Sequence, residues 1–277
     1  MSGAAQNGAG IERLASRALM IGGGGLAACI VGALMDREQF FRSYLVGFMF
    51  VAAVPLGCLA LFMLHNMSGG GWGFVIRRVL EAGTRTFPVL LVLFLPLTLG
   101  IHALYEWSHA DAVAKDALLQ HKSGYLNTQF FLVRAAGYFV VWMALAYFLG
   151  RWSAQQDANP AEGGSYIRRM QYLSGTGLLL YGLTVTFASV DWVMSLEPHW
   201  FSTMFGVYQL AMGALAFMAL LTLIALGFRS AGVLANSITI EHYHDLGKWM
   251  FALTAFYTYI SFCQYLLIWY ASIPEEV

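Results

Sequence analysis

Residues 172–194 read YLSGTGLLLYGLTVTFASVDWVM, and Asp191 is the one charged side chain among them. About 20 consecutive apolar residues are enough for an α-helix to cross the hydrocarbon of a bilayer. Within lipid, every backbone N–H and C=O group must be paired inside the segment, which favours a helix. This stretch therefore predicts a transmembrane helix that carries a carboxylate at membrane depth.

The composition extends this prediction to the whole chain of 277 residues. Hydrophobic residues make up 59% of it and charged residues 11%, against about 25% charged residues in soluble domains. We predict an all-α, polytopic transmembrane bundle that forms a single membrane domain over 1–277, after a flexible tail over 1–10. The seven predicted spans are 18–35, 43–64, 87–107, 127–152, 172–194, 203–228 and 248–271.

The basic residues predict the orientation of the chain in the membrane. With seven spans, the side of the N-terminus carries ten lysines and arginines and the opposite side carries four, so we expect a cytoplasmic N-terminus. The formal net charge is zero, which gives no sign of a nucleic-acid partner. The ten basic residues are Arg13, Arg17, Arg77, Arg78, Arg85, Arg151, Arg168, Arg169, Arg229 and Lys248.

Cysteine and histidine are distributed in a way that does not suggest a cofactor site. Cys29, Cys58 and Cys263 lie in separate predicted spans, and the sequence contains no CxxC or CxxCH motif. His102 is the one histidine placed well inside a predicted span, whereas haem ligation in a helical bundle usually takes a pair. We therefore expect no metal and no cofactor in this chain.

Three local features refine the prediction. Residues 74–81 read FVIRRVLE, which is typical of a short amphipathic helix at the cytoplasmic interface, either a connector or a lipid site. Pro96 predicts a kink in the third span because proline removes a backbone hydrogen bond. The four glycines of 22–25 allow another helix to approach closely.

Polar side chains concentrate in one half of the membrane, away from the side of the N-terminus. Arg134 lies about seven residues, or about 10 Å, inside the fourth span, and Asp191 lies near the same end of the fifth. An arginine or aspartate at mid-membrane costs about 2.5–3.5 kcal/mol on insertion scales, so these residues need partners or a function. The same half contains His102, Glu106, Gln209 and Gln264.

Two spans carry polar or small residues at alternating spacings of three and four, which keeps them on one helix face. The stripe of the fifth span comprises Ser174, Gly177, Tyr181, Thr184, Ala188, Asp191 and Ser195. The stripe of the seventh span comprises Thr254, Tyr257, Ser261 and Gln264.

Several interpretations of these stripes remain open. They are a packing seam, a hydrogen-bonded track that carries protons towards Asp191 with Arg134 tuning its carboxylate, or contact with a quinone headgroup. An Arg134–Asp191 salt bridge with a purely structural role satisfies the charges equally well. His102 is expected to be a core or interface residue, with proton transfer beside Glu106 as the alternative.

Five stretches together resemble the ActF subunit of bacterial alternative complex III, a quinol:electron-acceptor oxidoreductase, among the NrfD/PsrC-like membrane proteins. The similarity runs from the first span to the last residue, and its final stretch is the most specific. The stretches are GGGWGFVIRRVLEAG (69–83), PLTLGIHALYEW (96–107), YLNTQFFLVRAAGYFVVW (125–142), ASVDWVMSLEPHWFSTMFG (188–206) and HDLGKWMFALTAFYTYISFCQYLLIWYASIPEE (244–276).

The resemblance implies a multi-pass subunit of a respiratory complex in the bacterial cytoplasmic membrane. Quinol oxidation then belongs to an ActC-like membrane subunit, with quinol bound nearby, and electron transfer to an iron–sulfur subunit and to cytochrome c subunits that hold the c-type haems. ActF-like chains have about ten spans, so this sequence is expected to be a piece of a longer chain or to lack the last helices.

The resemblance also implies a structural role together with a proton pathway. The alternatives are a secondary transporter with a mid-membrane site and a purely structural assembly subunit. The candidate proton-pathway residues are Asp191, Arg134, Tyr181, Thr184, Ser195, Tyr257, Ser261, Gln264, His102 and Glu106.

Overall fold

The computed structural model describes residues 2–230 and 238–271. The structure is 90% helical, and the described residues contain no strand. The helices are α1 (Ser2–Met35), α2 (Arg37–Ser68), α3 (Gly71–Thr84), α4 (Phe87–Leu99), α5 (Ile101–Leu104), α6 (Ala110–Lys115), α7 (Ala117–Lys122), α8 (Thr128–Ala158), α9 (Gly163–Trp192), α10 (Phe205–Ser230) and α11 (Ile240–Ala271).

The prediction of an all-α transmembrane bundle is confirmed. Among the described residues, six helical segments are long and apolar enough to cross a membrane, and there are up to seven if the bent pair formed by α3 and α4 counts as one span. The chain is therefore a multi-pass membrane protein. The six segments are Ala15–Met35, Arg37–Ser68, Thr128–Ala158, Pro160–Leu196, Phe205–Ser230 and Ile240–Ala271.

The third predicted span, 87–107, is not a continuous helix. α4 ends at Leu99, Gly100 leaves the helical path, and the chain continues through α5, an extended Tyr105 and a 3₁₀ turn over Glu106–Ser108. With 13 residues, α4 is about 20 Å long, too short for a hydrocarbon layer of about 30 Å. The part of α3 from Ile76 to Thr84 continues the path, and the two helices bend by 40° where they meet.

Side-chain caps determine where several helices begin. The Asp36 carboxylate accepts a hydrogen bond from the Gln39 amide at the start of α2, and the Asn127 side chain accepts one from the Phe130 amide at the start of α8. These bonds satisfy amides that have no partner within the helix. The first helix, α1, begins at Ser2. The sequence predicted a flexible tail over 1–10.

The core lies where α2, α8 and α9 pack together, with α10 against α2 and α9. Two glycines let the helices approach closely. A Cβ atom at Gly57 of α2 would lie 2.4 Å from the ring of Phe217 on α10, and one at Gly177 of α9 would lie 2.8 Å from the Met63 sulfur on α2. The four glycines of 22–25, expected to face another helix, have no described atom within 4 Å of such a Cβ.

Candidate functional site

The candidate site is a buried ion pair between α8 and α9. The Arg134 guanidinium donates from Nε to Asp191 Oδ2 at 2.8 Å and from Nη2 to Asp191 Oδ1 at 2.9 Å. The Asp191 side chain is 0% exposed and the Arg134 side chain 10%. A two-point contact of this kind fixes the relative position of the two groups as well as neutralising them.

Further groups add hydrogen bonds to the pair. The Tyr138 hydroxyl donates to Asp191 Oδ2 at 2.6 Å, and the third arginine nitrogen, Nη1, donates to the Tyr125 carbonyl at 2.9 Å. The guanidinium carbon lies 3.8 Å from the ring centroid of Tyr125 and 4.4 Å from that of Phe130. The aromatic rings and the carboxylate together stabilise the arginine cation in its buried position.

Local sequence places each partner. Arg134 lies about two turns after the Asn127 cap of α8, and Asp191 lies one residue before the end of α9 at Trp192. Tyr125 precedes α8 outside the membrane-spanning segments, where burial and then the Asp191 charge raise the pKa of its phenol to about 12. Tyr125 therefore stays neutral at physiological pH and adds no negative charge to the site.

The predicted stripe of the fifth span lies on one face of α9, apart from Ser195 in the 3₁₀ turn that follows, and that face is directed into the bundle. Every member is buried apart from the partly buried Thr184. Two of its polar members accept hydrogen bonds from neighbouring helices. Ser174 Oγ accepts from the Asn66 amide at 3.2 Å, and Thr184 Oγ1 accepts from the Trp142 indole at 2.9 Å. Near the end of the stripe, Ser195 Oγ donates to the Asp191 carbonyl at 2.5 Å.

An aromatic cluster adjoins the ion pair within the bundle. Trp142 and Trp192 are buried, with ring centroids 5.9 Å apart. Phe139 stacks on Trp192 at 6.0 Å, and Phe94 approaches the same indole at 5.0 Å. The next polar group of the stripe, Thr184, has its hydroxyl committed to the Leu180 carbonyl at 2.7 Å. The neighbourhood of the pair is therefore densely packed and largely apolar.

The candidate residues of the seventh span form a separate group between α10 and α11. The Tyr257 and Tyr208 hydroxyls lie 2.9 Å apart, and the Gln264 amide exchanges hydrogen bonds with Ser202 at 2.9 and 3.1 Å. Ser261 Oγ donates to the Tyr257 carbonyl. Within residues 2–230 and 238–271, no hydrogen bond joins this group to Asp191.

His102 and Glu106 lie on the surface at the same end of the bundle. Both side chains are exposed. The His102 ring contacts Ser108 Oγ at 3.1 Å, and its backbone carbonyl accepts from His109 Nε2 at 2.7 Å when that nitrogen carries the proton. The structure therefore brings Arg134 and Asp191 together and leaves His102 and Glu106 outside their cluster. In the part of the chain that the structure describes, no group of three histidine, cysteine, aspartate or glutamate side chains is placed to hold a metal ion.

A second buried carboxylate lies at the opposite end of the bundle, and sequence reasoning missed it. Glu81 of α3 is 5% exposed. Its carboxylate accepts hydrogen bonds from Arg77 Nε at 3.0 Å, from Arg78 Nη1 at 2.7 Å and from Ser153 Oγ at 2.5 Å. The spacing of four between Arg77 and Glu81 is the one sequence signal for this network.

This second network ties α3 to α8. Arg77 Nη2 donates to Ser153 Oγ at 2.7 Å and to Gln156 Oε1 at 2.8 Å, and Arg78 also pairs with Asp157. The short amphipathic helix expected at the membrane surface therefore has its acidic residue buried against the bundle. Ion pairs thus hold α8 near both of its ends.

The chain was compared with known protein-family models and with curated protein sequences, and neither comparison found a match. The resemblance to ActF-like subunits therefore rests on the sequence stretches given above.

Proposed function

We propose that this chain is an integral membrane subunit of a bacterial respiratory quinol:electron-acceptor oxidoreductase of the alternative-complex-III kind. In this proposal it serves as a scaffold in the cytoplasmic membrane. Electron transfer takes place in partner subunits, with quinol oxidation in an ActC-like membrane subunit and the iron–sulfur clusters and c-type haems in others. The N-terminus lies on the cytoplasmic side, so the ion pair lies towards the outside.

The observation that carries the scaffold role is the number of hydrogen bonds that hold the buried Arg134–Asp191 pair. The three arginine nitrogens all donate to protein acceptors, and the carboxylate accepts from Arg134 and Tyr138. A buried pair satisfied in this way costs several kcal/mol per ion to desolvate and is kept in place by its geometry. Such a pair is suited to a rigid subunit that keeps its partner subunits in fixed relative positions.

A second candidate function, proton conduction, is favoured by the positions of Glu81 and Asp191. These two carboxylates are buried near opposite ends of α8, and intramembrane carboxylates often belong to proton relays. Proton uptake by Asp191 would remove the negative charge that the two Arg134 contacts depend on, so it would weaken the pair.

Purification from native membranes tests the scaffold role. An affinity tag on this chain should retain subunits that show the visible spectrum of c-type haem and the electron paramagnetic resonance signals of iron–sulfur clusters. Quinol:acceptor activity should elute in the same fractions. Elution of the chain by itself, as a transporter active in proteoliposomes, would contradict the proposal.

The assembled complex also separates the scaffold role from proton conduction. Asp191→Asn is compared with Arg134→Gln/Asp191→Asn, which removes both charges, in proteoliposomes that report protons moved per electron. A scaffold predicts an unchanged ratio in every variant that assembles. A lower ratio, with electron transfer retained, would assign proton conduction to Asp191.

A further inference from the structure

The first turn of α11 is held by a hydrogen-bonded pair at the end of the bundle opposite Asp191. Since α11 begins at Ile240, Thr239 is the residue that caps it and His242 is the third residue of the helix. The Thr239 amide donates to His242 Nδ1 at 3.1 Å, and the Thr239 hydroxyl lies 2.8 Å from the same nitrogen. The Thr239 carbonyl accepts a backbone hydrogen bond from the Tyr243 amide at 3.4 Å, which closes the first turn.

This arrangement is a capping box with a histidine in an unusual position. In a capping box, a serine or threonine cap is followed three residues later by glutamate or glutamine, whose side-chain oxygen accepts from the amide of the cap. His242 occupies that position here, so an imidazole nitrogen replaces the oxygen. An imidazole nitrogen accepts a hydrogen bond only while it carries no proton, and the cap therefore depends on the charge of His242.

The Thr239 amide determines which form of His242 closes the cap. A backbone N–H group can only donate, so Nδ1 accepts and the proton of the neutral ring lies on Nε2. Protonation of Nδ1 would direct two N–H groups at each other and break this bond. The hydroxyl contact can reverse, because a hydroxyl also accepts, but the amide loses its partner. The new positive charge would also lie in the first turn of α11, where the helix dipole disfavours it.

The turn that this cap stabilises also attaches α11 to α10. The Tyr243 hydroxyl donates to the Ala225 carbonyl at 3.2 Å, and the Arg229 guanidinium carbon lies 5.5 Å from the centroid of the Tyr243 ring. Tyr243 is the same residue whose amide closes the first turn. Opening of the turn would therefore weaken the contact between the start of α11 and the end of α10.

Three helices carry the charged groups around this turn, because α11 packs against α10 and α3. Those of α3 belong to the network with α8 described above, and Asp245 and Lys248 of α11 pair with each other at 3.1 Å. Carboxylates in general keep their charge between pH 8 and about pH 5, so the histidines are the groups whose charge changes there. Besides His242, the charged or titrating residues are Glu241, His244, Asp245 and Lys248 of α11, Arg229 of α10, and Arg77, Arg78 and Glu81 of α3.

We propose that the start of α11 is a pH-sensitive cap, which is closed while His242 is neutral and opens when the ring takes up a proton. Histidine is the side chain that ordinarily changes charge between about pH 5 and pH 8. In the closed state, Tyr243 joins α11 to α10. In the open state, the first turn of α11 frays and this attachment loosens, while the Arg134–Asp191 pair at the other end of the bundle is unaffected.

Hydrogen exchange, measured by mass spectrometry on the full chain in nanodiscs with its native partners, tests the cap. The exchange rate of a peptide covering 238–248 is compared between the wild-type protein and His242→Gln at each pH from 8 to 5. Glutamine completes the usual capping box and takes up no proton, and a ratio taken at one pH cancels the pH dependence of the chemical exchange itself. We expect a ratio near one at pH 8 and exchange about fivefold faster in the wild-type protein at pH 5, the factor that corresponds to the loss of a typical cap.

His244→Gln is the matched control, because His244 lies on the same turn with its side chain exposed. This variant should keep the pH dependence of the wild-type protein. A ratio that is the same at pH 8 and pH 5 would overturn the proposal, and so would a pH dependence that disappears in His244→Gln. If His242→Gln does not fold, the protection of the wild-type peptide is measured against the same peptide in the unfolded chain. Protection that stays constant from pH 8 to pH 5 would then overturn the proposal.

Discussion

Arg134 and Asp191, 57 positions apart in the chain, meet through two hydrogen bonds of 2.8 and 2.9 Å at a site with almost no exposure. The contact joins the first third of α8 to the end of α9. Each partner by itself would be an isolated charge at membrane depth. The stability of each charged side chain in its buried position therefore depends on the other.

This dependence predicts strong coupling between the two residues. Asp191→Asn or Arg134→Gln leaves one buried charge unpaired and should destabilise the protein by about 3–5 kcal/mol. The double variant should recover part of that loss, because it leaves no unpaired charge. Thermal unfolding in one detergent, arranged as a double-mutant cycle, measures the coupling. Additive losses in the cycle would mean that the pair contributes nothing as a pair.

Tyr138→Phe should have a smaller effect than either charge substitution. It removes one hydrogen bond to the Asp191 carboxylate and keeps the ring that stacks on Trp142. The expected loss is about 1.5–3 kcal/mol, the usual range for a hydrogen bond to a charged group. Tyr172→Phe, at an exposed position of α9, is the control. Equal melting temperatures for the two variants would show that the Tyr138 hydroxyl is dispensable.

Glu81→Gln should loosen the attachment of α3 to α8. The substitution removes the carboxylate that both Arg77 and Arg78 contact, and it leaves Arg77 near its remaining partners. We expect faster hydrogen exchange across α3, measured by mass spectrometry, with little change in α9. Glu38→Gln breaks the exposed Glu38–Arg42 pair and should have almost no effect, because exposed pairs contribute about 0–1 kcal/mol. Unchanged hydrogen exchange in α3 would mean that Glu81 does not hold α3 against α8.

Gly57→Ala should be destabilising because its methyl group would meet the Phe217 ring at 2.4 Å. Overpacking of this kind typically costs about 1–3 kcal/mol. Gly47→Ala on the same helix meets no described atom within 4 Å and should be neutral or slightly stabilising, since alanine favours helix more than glycine does. Comparison of the two melting temperatures tests the close approach of α2 and α10.

The contribution of Asp116 to the stability of the protein should decrease at acidic pH. Burial opposes ionisation of the Asp116 carboxyl, but the Leu118 and Leu119 amides and His199 outweigh it and lower its pKa below the usual 3.8. A lowered folded-state pKa means that the contribution of Asp116 to stability is present above about pH 4 and is lost as the pH falls through the folded value.

The measurement is the difference in melting temperature between a protein with Asp116 and one with Asp116→Ala, both in a His199→Gln background. This background removes the separate titration of the His199–Asp116 contact. The difference should persist from neutral pH down to about pH 4 and shrink below it. A difference that grows on acidification would contradict the assigned sign.

The aromatic and apolar runs were sufficient to predict the helices, because helix formation in lipid depends on local composition and on pairing within one segment. They failed between 87 and 107, where the predicted span continued past Gly100 but the helix α4 ends at Leu99. The burial of the Asp191 face of α9 was also predictable, because a spacing of three and four keeps residues on one side whatever the helix packs against.

The depth of Arg134 and Asp191 made a salt bridge between them one of several hypotheses, and the structure places the two groups in contact. Depth gave the same signal for His102 and Gln264, which lie outside that cluster. What separates these residues is the rotation of each helix about its axis and the choice of neighbours, and neither is encoded within a single span.

By itself, then, the sequence determined that the chain forms membrane helices and which face of α9 is buried, since both follow from periodicity and from the cost of polar groups in lipid. Tertiary structure decided the partners. The sequence predicted that Glu81 lies at the membrane surface, whereas the packing of α3 against α8 buries its carboxylate beside Ser153. The packing of α8 against α9 places Arg134 and Tyr138 around Asp191. Ion pairs between helices depend on distances of a few ångströms across the bundle, and packing alone sets those distances.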